Sequence, residues 1–154
     1  MSNVTSSQTI GPFFHNALAW AFDSGSGPIE LVGRVLDGSD QPVSDAMVEI
    51  WADGATGKDG FGLLRQPTDE AGQFRFRIPA PHPSAPLAHV CVFARGCFNQ
   101  HFTAVFPSMM NHRLLTAAPE SRRATLVAAK EGDHTYRWDL CLQGARETVF
   151  FEYE

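Results

Sequence analysis

The chain has 154 residues, a formal net charge of −5 at pH 7, and a hydrophobic fraction of 44%. This length suits one domain with a real core, and the negative charge argues against nucleic acid as the main partner. The apolar runs are far shorter than the roughly 18 residues needed to span a bilayer. The N-terminus has no basic residue and no apolar core before a cleavage site, so no signal peptide is predicted. The three cysteines, Cys91, Cys97 and Cys141, have no metal-like spacing and indicate reduced thiols in a cytoplasmic protein.

The first 28 residues are apolar and aromatic but show no strand alternation. The Gly11-Pro12 pair prevents a continuous helix through that point. Residues 1–28 are therefore predicted to form an N-terminal arm, which packs either on its own domain or on a partner.

From residue 29 onward, hydrophobic residues recur mostly with a period of two, which is typical of half-buried strands. The predicted strands are 29–36, 45–51, 74–79, 89–94, 102–106, 134–144 and 147–154. Short helical turns are predicted within 107–118 and after Pro119. Many short strands separated by turn-forming residues predict an all-β, antiparallel sandwich or barrel over residues 29–154.

The apolar strand 89–94 carries His89 and Cys91 two residues apart, which places both side chains on the same face. Imidazole and thiolate together suit zinc or a softer metal. The alternative is that Cys91, between two valines, is a small hydrophobic residue of the core. None of the six histidines forms an H-E-x-x-H motif or pairs with a C-x-x-C motif.

Arg95 ends the same strand and precedes a glycine. It either reaches into solvent or presents a planar guanidinium to a carboxylate. The residue pattern alone leaves both interpretations open.

Five stretches resemble the intradiol ring-cleaving dioxygenases: residues 7–14, 31–53, 68–81, 89–96 and 136–154. The first is similar to the family's N-terminal arm, and the second is similar to its first hairpin. The fourth matches the strand that carries histidine ligands in catalytic members, and the fifth resembles the closing strands. This resemblance implies the family's β-sandwich, with insertion of both atoms of O₂ between the two hydroxyl-bearing carbons of a catechol.

Catalytic members of this family hold Fe(III) with two tyrosinates and two histidines, and their strand has the pattern His-x-His. Here Cys91 replaces the second histidine, and the two tyrosines, Tyr136 and Tyr153, both lie in the closing strands. The resemblance therefore implies that His89 and Cys91 are a remnant of a metal site, so no metal or cofactor is predicted in this chain.

Within the family, the sequence resembles the non-catalytic alpha chains that pair with an Fe(III)-bearing beta subunit acting on protocatechuate. The resemblance implies that Thr9, Gly11, Pro12, Phe13 and Arg95 help form the substrate pocket over the partner's iron. The predicted function is a required, non-catalytic dioxygenase subunit in a hetero-oligomer. The alternative is a metal-free β-sandwich that acts as a binding or structural module, either alone or as a homo-oligomer. A metal-binding protein using His89 and Cys91 is the third hypothesis. The segments after Phe22 and after Asp53 are shorter than is usual for alpha chains.

Overall fold

Buried and exposed residues alternate along short extended segments, which form the strands of the protein. The computed structural model describes residues 17–58, 60, 62–97 and 101–152. The strands are β1 (Ile29–Leu36), β2 (Met47–Trp51), β3 (Leu63–Pro67), β4 (Gln73–Ile78), β5 (Ala88–Phe93), β6 (His101–Val105), β7 (Ala129–Glu131), β8 (Thr135–Arg137) and β9 (Leu140–Cys141). A five-stranded sheet has the order β4-β1-β8-β7, with β9 also pairing with β1, and a four-stranded sheet has the order β3-β2-β5-β6. The predicted all-β sandwich is confirmed. Pairing is antiparallel except that β8 and β9 run parallel to β1.

The core lies between the two sheets. In β4, Phe74, Phe76 and Ile78 are buried, while Arg75 and Arg77 between them are exposed. Buried residues of both sheets join one cluster, which includes Leu31, Val35, Val48, Ile50, Leu64, Val90, Val92, Trp138 and Leu140. Burying this much apolar surface is the main force that holds the two sheets together.

Both predicted helical turns are present, and they pack beside β6. Helix α1 spans Arg113–Ala117, and a 3-10 helix spans Glu120–Leu126. The Nδ1 atom of His112 accepts a hydrogen bond from the Leu114 N–H at 3.3 Å, which caps α1. Residues of these turns bury a second apolar cluster against Ala104 and Phe106.

The hairpin expected over residues 31–53 is wrong, because β1 and β2 belong to different sheets. The loop after β1 closes its own turn, in which the Asp37 carboxylate accepts hydrogen bonds from the N–H groups of Ser39 and Gln41 at 2.8 and 2.9 Å. The chain then crosses to the other sheet, where Thr68 Oγ1 accepts from the Ala46 N–H at 3.0 Å. Alternation in two neighbouring strands does not reveal which sheet each one joins.

The single strand predicted over 134–144 is divided into β8 and β9. At the break, the Trp138 N–H donates to the Val32 carbonyl at 2.8 Å, and the Asp139 carboxylate accepts from the Arg34 N–H at 3.1 Å. A Cβ at Gly33 would lie 1.8 Å from the Trp138 carbonyl oxygen, so only glycine fits at this crossing. A side chain thus takes over one hydrogen bond that a regular ladder would make with backbone.

The strand predicted over 147–154 is also wrong as a regular strand, within the part that the structure describes. The N–H groups of Glu147 and Thr148 donate to the Gly144 and Cys141 carbonyls, and beyond them the backbone pairing with β6 is one isolated bridge, between Phe102 and Phe151. Thr103 Oγ1 donates to the Val149 carbonyl at 2.7 Å, so a side chain again replaces a backbone partner. Strands β3 and β7 were not predicted, because β3 ends at a proline and β7 is exposed along its whole length.

Candidate functional site

His89 and Cys91 both project from the outer face of the four-stranded sheet. Val90 and Val92 alternate with them and are 3% and 0% exposed, on the core side. Cys91 lies opposite Glu49 of β2 and Phe102 of β6. We call the surface formed by His89, Cys91, Glu49, Trp51 and Phe102 the outer patch. It surrounds a shallow cavity of about 290 Å³.

His89 and Cys91, the two potential metal ligands that the sequence suggested, are both electrically neutral near pH 7. Burial, and secondarily the Glu49 carboxylate, raises the pKa of the Cys91 thiol to about 12. Partial burial, with repulsion from His112 and Arg113, lowers the pKa of His89 below its usual value. A metal needs the thiolate rather than the thiol, so Cys91 is poorly suited as a ligand.

The described residues do not fit the ferric site of catalytic intradiol dioxygenases. In this part of the chain, no three side chains of His, Cys, Asp or Glu converge where they could hold a metal ion. Tyr136 lies in β8 of the opposite sheet, where it packs against the core, and Tyr153 lies outside the described residues. No tyrosinate within the described residues is therefore available beside His89.

Glu49 is held by an ion pair instead of being free to bind a metal. Its Oε1 atom accepts a hydrogen bond from Arg65 Nε at 2.5 Å, and the two side chains are only 16% and 18% exposed. Trp51 and Phe102 of the same surface are 51% and 39% exposed. The outer patch thus combines a largely buried ion pair with unusually exposed aromatic rings. The alternation of β2 signals that Glu49 and Trp51 share a face, but sequence reasoning missed both.

Arg95 lies in a tight turn immediately after β5. The Cys97 N–H donates to the Ala94 carbonyl at 3.2 Å, and Gly96 has a φ of 88°, which favours glycine. Arg95 Nε lies 3.0 Å from Asp45 Oδ2, and the arginine side chain is 69% exposed. This ion pair was not predicted from the sequence.

Arg95 lines a cleft of about 830 Å³ at one end of the sandwich. Aromatic residues Phe150, Phe151 and Phe102 line it as well, and the last of these also belongs to the outer patch. The ring of His101 lies against that of Phe150, with 4.7 Å between centroids. Three carboxylates also line the cleft: Asp37, Glu147 and Glu152. A guanidinium beside aromatic rings suits an aromatic carboxylate, while the acidic residues weaken the attraction for anions.

Only the end of the predicted arm lies within the described residues. Asp23 and Arg65 form two backbone hydrogen bonds of 2.9 and 3.0 Å at the edge of β3, and the Gly27 N–H donates to the Arg77 carbonyl at 3.2 Å. Residues 23–27 therefore lie against the chain's own sheets. The predicted pocket residues of the arm lie outside the described residues: Thr9, Gly11, Pro12 and Phe13.

The architecture is that of the intradiol ring-cleavage dioxygenases. A solved structure of such an enzyme from Tetranychus urticae superposes with a TM-score of 0.57 at 16% identity, covering 79% of this chain and 83% of that one. This similarity concerns the fold alone. Among the described residues, no helix is long and apolar enough to cross a membrane. Compared with models of protein families, the chain matches none.

Sequence relatives narrow the class. The protocatechuate 3,4-dioxygenase alpha chain of Burkholderia cepacia is 34% identical, with 96% of each chain covered, and that of Pseudomonas putida is 29% identical over 97% of this chain and 96% of the relative. The beta chain from Burkholderia cepacia is 25% identical, over 94% of this chain and 78% of the relative. The chain belongs to the protocatechuate 3,4-dioxygenase alpha chain family. Its alignment with the first relative runs over 190 positions, so that relative carries segments that this shorter chain lacks.

Proposed function

We propose that the chain is the alpha subunit of a protocatechuate 3,4-dioxygenase and completes the substrate pocket of a beta subunit that holds Fe(III). The assembled enzyme inserts both atoms of O₂ into protocatechuate and yields 3-carboxy-cis,cis-muconate. In this proposal, residues 1–28 form the arm and residues 29–154 form the sandwich. The isolated chain carries no iron and is inactive.

The observation that carries this proposal is the chemistry of the outer patch. The strand position where catalytic family members have a second histidine holds the neutral thiol of Cys91, and its neighbour Glu49 is paired with Arg65. These residues do not match the ligands of a ferric site, although the fold and the relatives are those of ring-cleaving dioxygenases. An iron-bearing partner reconciles the two findings.

Relatives named both alpha chain and beta chain support a hetero-oligomer. The outer patch is the surface that we assign to the beta subunit. Its exposed rings, Trp51 and Phe102, are the apolar anchors expected at a protein interface. The patch is continuous with the Arg95 cleft through Phe102, so a partner seated there would bring its own pocket beside Arg95.

The chain itself contributes binding and enclosure to the reaction. Arg95 meets the carboxylate of protocatechuate, and Thr9, Gly11, Pro12 and Phe13 form one wall of the pocket. Such a wall excludes water from the reacting atoms, which strengthens electrostatic interactions inside the site. The iron supplies activation of the catechol, and it belongs to the partner.

The test is reconstitution with a protocatechuate 3,4-dioxygenase beta chain. We expect the chain alone to be colourless, without stoichiometric iron or catechol cleavage, and the co-purified pair to contain iron and cleave protocatechuate. Iron analysis, visible absorption and size-exclusion chromatography measure these outcomes. A red preparation of the isolated chain with about one iron per chain would contradict the proposal. If the chain forms a homo-oligomer that does not bind the beta chain, the alternative of a metal-free binding module is favoured.

A further inference from the structure

Asp45 and Arg95 occupy facing positions just beyond the paired strands β2 and β5. The last pair of that ladder is Met47 opposite Phe93. Continuing the same register by two residues in each strand places Asp45 opposite Arg95, and the ion pair of 3.0 Å follows from this arrangement. Facing residues of opposite charge stabilise each other across neighbouring strands.

The backbone on each side of this pair is held firmly. Thr68, which is 6% exposed, accepts a hydrogen bond from the Ala46 N–H at 3.0 Å and donates to the Val43 carbonyl at 2.7 Å. These bonds bracket Asp45. Arg95 is fixed by the turn that Gly96 closes. Two rigid backbones thus carry the two charged side chains.

The ion pair uses one edge of the guanidinium. Asp45 contacts Nε, and among the described residues no carboxylate pairs with the terminal Nη1 and Nη2 atoms, which can therefore meet a second carboxylate. An exposed arginine without such a partner loses considerable rotamer freedom when it binds a ligand, whereas an arginine already held by an ion pair loses less. Without Asp45, an unrestrained Arg95 would also be attracted to the three carboxylates that line its cleft: Asp37, Glu147 and Glu152.

We propose that Asp45 is a positioning residue, which holds the Arg95 guanidinium so that its Nη atoms are ready for the carboxylate of an aromatic substrate. This inference rests on the proposed function. Asp45 itself touches no substrate and acts through Arg95.

The test is a double-mutant cycle in the assembled enzyme, with each alpha chain variant paired with the same beta chain. Steady-state kcat and KM are measured for protocatechuate and for catechol, which lacks the carboxylate. Arg95→Ala should lower the preference for protocatechuate roughly ten- to a hundredfold. Asp45→Asn should lower it roughly two- to fivefold through KM, with little change in kcat. Asp45→Glu should recover part of the loss, and Asp45→Asn should add nothing to Arg95→Ala.

The matched control is Asp40→Asn, which removes the exposed ion pair between Asp40 and Arg146 and should leave both substrates unchanged. If Arg95→Ala leaves the preference intact, the proposed role of Arg95 is wrong. If Arg95→Ala acts as expected but Asp45→Asn has the same effect with or without Arg95, the positioning role is wrong and the proposed function stands. A preference that rises in Asp45→Asn also overturns it, because Asp45 would then compete with the substrate.

Discussion

The outer faces of the two sheets differ sharply in chemistry, although the same alternation builds both. On the five-stranded sheet, arginines are paired with carboxylates at the surface: Arg34 with Asp139, Arg75 with Glu30, and Arg137 with Glu131, with arginine side chains 46%, 64% and 49% exposed. On the four-stranded sheet, the exposed rings of Trp51 and Phe102 share a face with the Glu49–Arg65 pair, whose side chains are 16% and 18% exposed. The outer face of the five-stranded sheet is covered by charged side chains, whereas that of the four-stranded sheet exposes apolar area to water.

This difference indicates which side of the sandwich meets another surface. Exposed ion pairs interact favourably with solvent and contribute little stability. Exposed aromatic residues that share one face with a largely buried ion pair are typical of a protein interface. In the proposed assembly, the four-stranded sheet therefore faces the beta subunit and the five-stranded sheet stays in contact with water.

A charge placed in the outer patch should break assembly. We expect Trp51→Glu to weaken association with the beta chain roughly a hundredfold, because the proposed interface loses an aromatic anchor and gains a charge in its place. The matched control is Gln73→Glu, an exposed outward residue at the edge of the five-stranded sheet, which should leave association unchanged. Titration calorimetry and size-exclusion chromatography give the affinities, and circular dichroism checks the fold. Equal affinity for the two variants would contradict the assignment of the faces.

Removing one carboxylate from each face should show how much each kind of ion pair contributes to the free energy of unfolding. Glu49→Gln leaves Arg65 largely buried without its partner and should lower the free energy of unfolding by about 1–2 kcal/mol. Glu30→Gln removes the surface partner of Arg75 and should cost less than about 1 kcal/mol. Urea denaturation of the isolated chain measures both. Similar losses would show that the Glu49–Arg65 pair is solvated as well as the pairs on the other sheet.

At neutral pH the smallest expected effect concerns the Cys91 thiol, which titrates only at higher pH. Its pKa of about 12 in the folded chain lies above the value of 9.0 for a free thiol, so the folded state favours the neutral form. The corresponding stability is present in full below about pH 9 and is lost as pH rises from there toward 12. Alkylation of Cys91 by iodoacetamide, followed by peptide mass spectrometry, should accelerate about tenfold per pH unit beyond pH 9, whereas in urea it should level off. A plateau near pH 9 in the folded chain would show that the outer patch does not shield the thiol.

Much of the fold was readable from the sequence because burial alternates strictly in several strands. Residues 29–36 coincide with β1, and the spacing of two residues within a strand correctly predicted a shared face for His89 and Cys91. Alternation did not show that this face points away from the core, because it distinguishes two faces without saying which one is covered. The break at Trp138 depends on how closely Gly33 lets a distant segment approach, which is a tertiary contact.

The candidate site was predictable only in part for a similar reason. Arg95 drew attention as a charge at the end of an apolar strand, but its pairing with Asp45 depends on the register between β2 and β5. Glu49 and Arg65 are far apart in sequence, and only strand pairing brings them together. Side-chain partners across a sheet are set by register, which short alternating segments do not specify.

The central place of β1 has a consequence for how the chain folds. This early strand pairs with β4, but its other edge is completed only by β8 and β9, more than 100 residues later. During synthesis that edge stays without its native neighbour until β8 and β9 have emerged from the ribosome. Closing such a long loop is slow, and an open strand edge is prone to pair with other chains in the meantime. We therefore expect a truncation that removes the chain from residue 135 onward to increase aggregation during expression more than substitutions in the surface loops do.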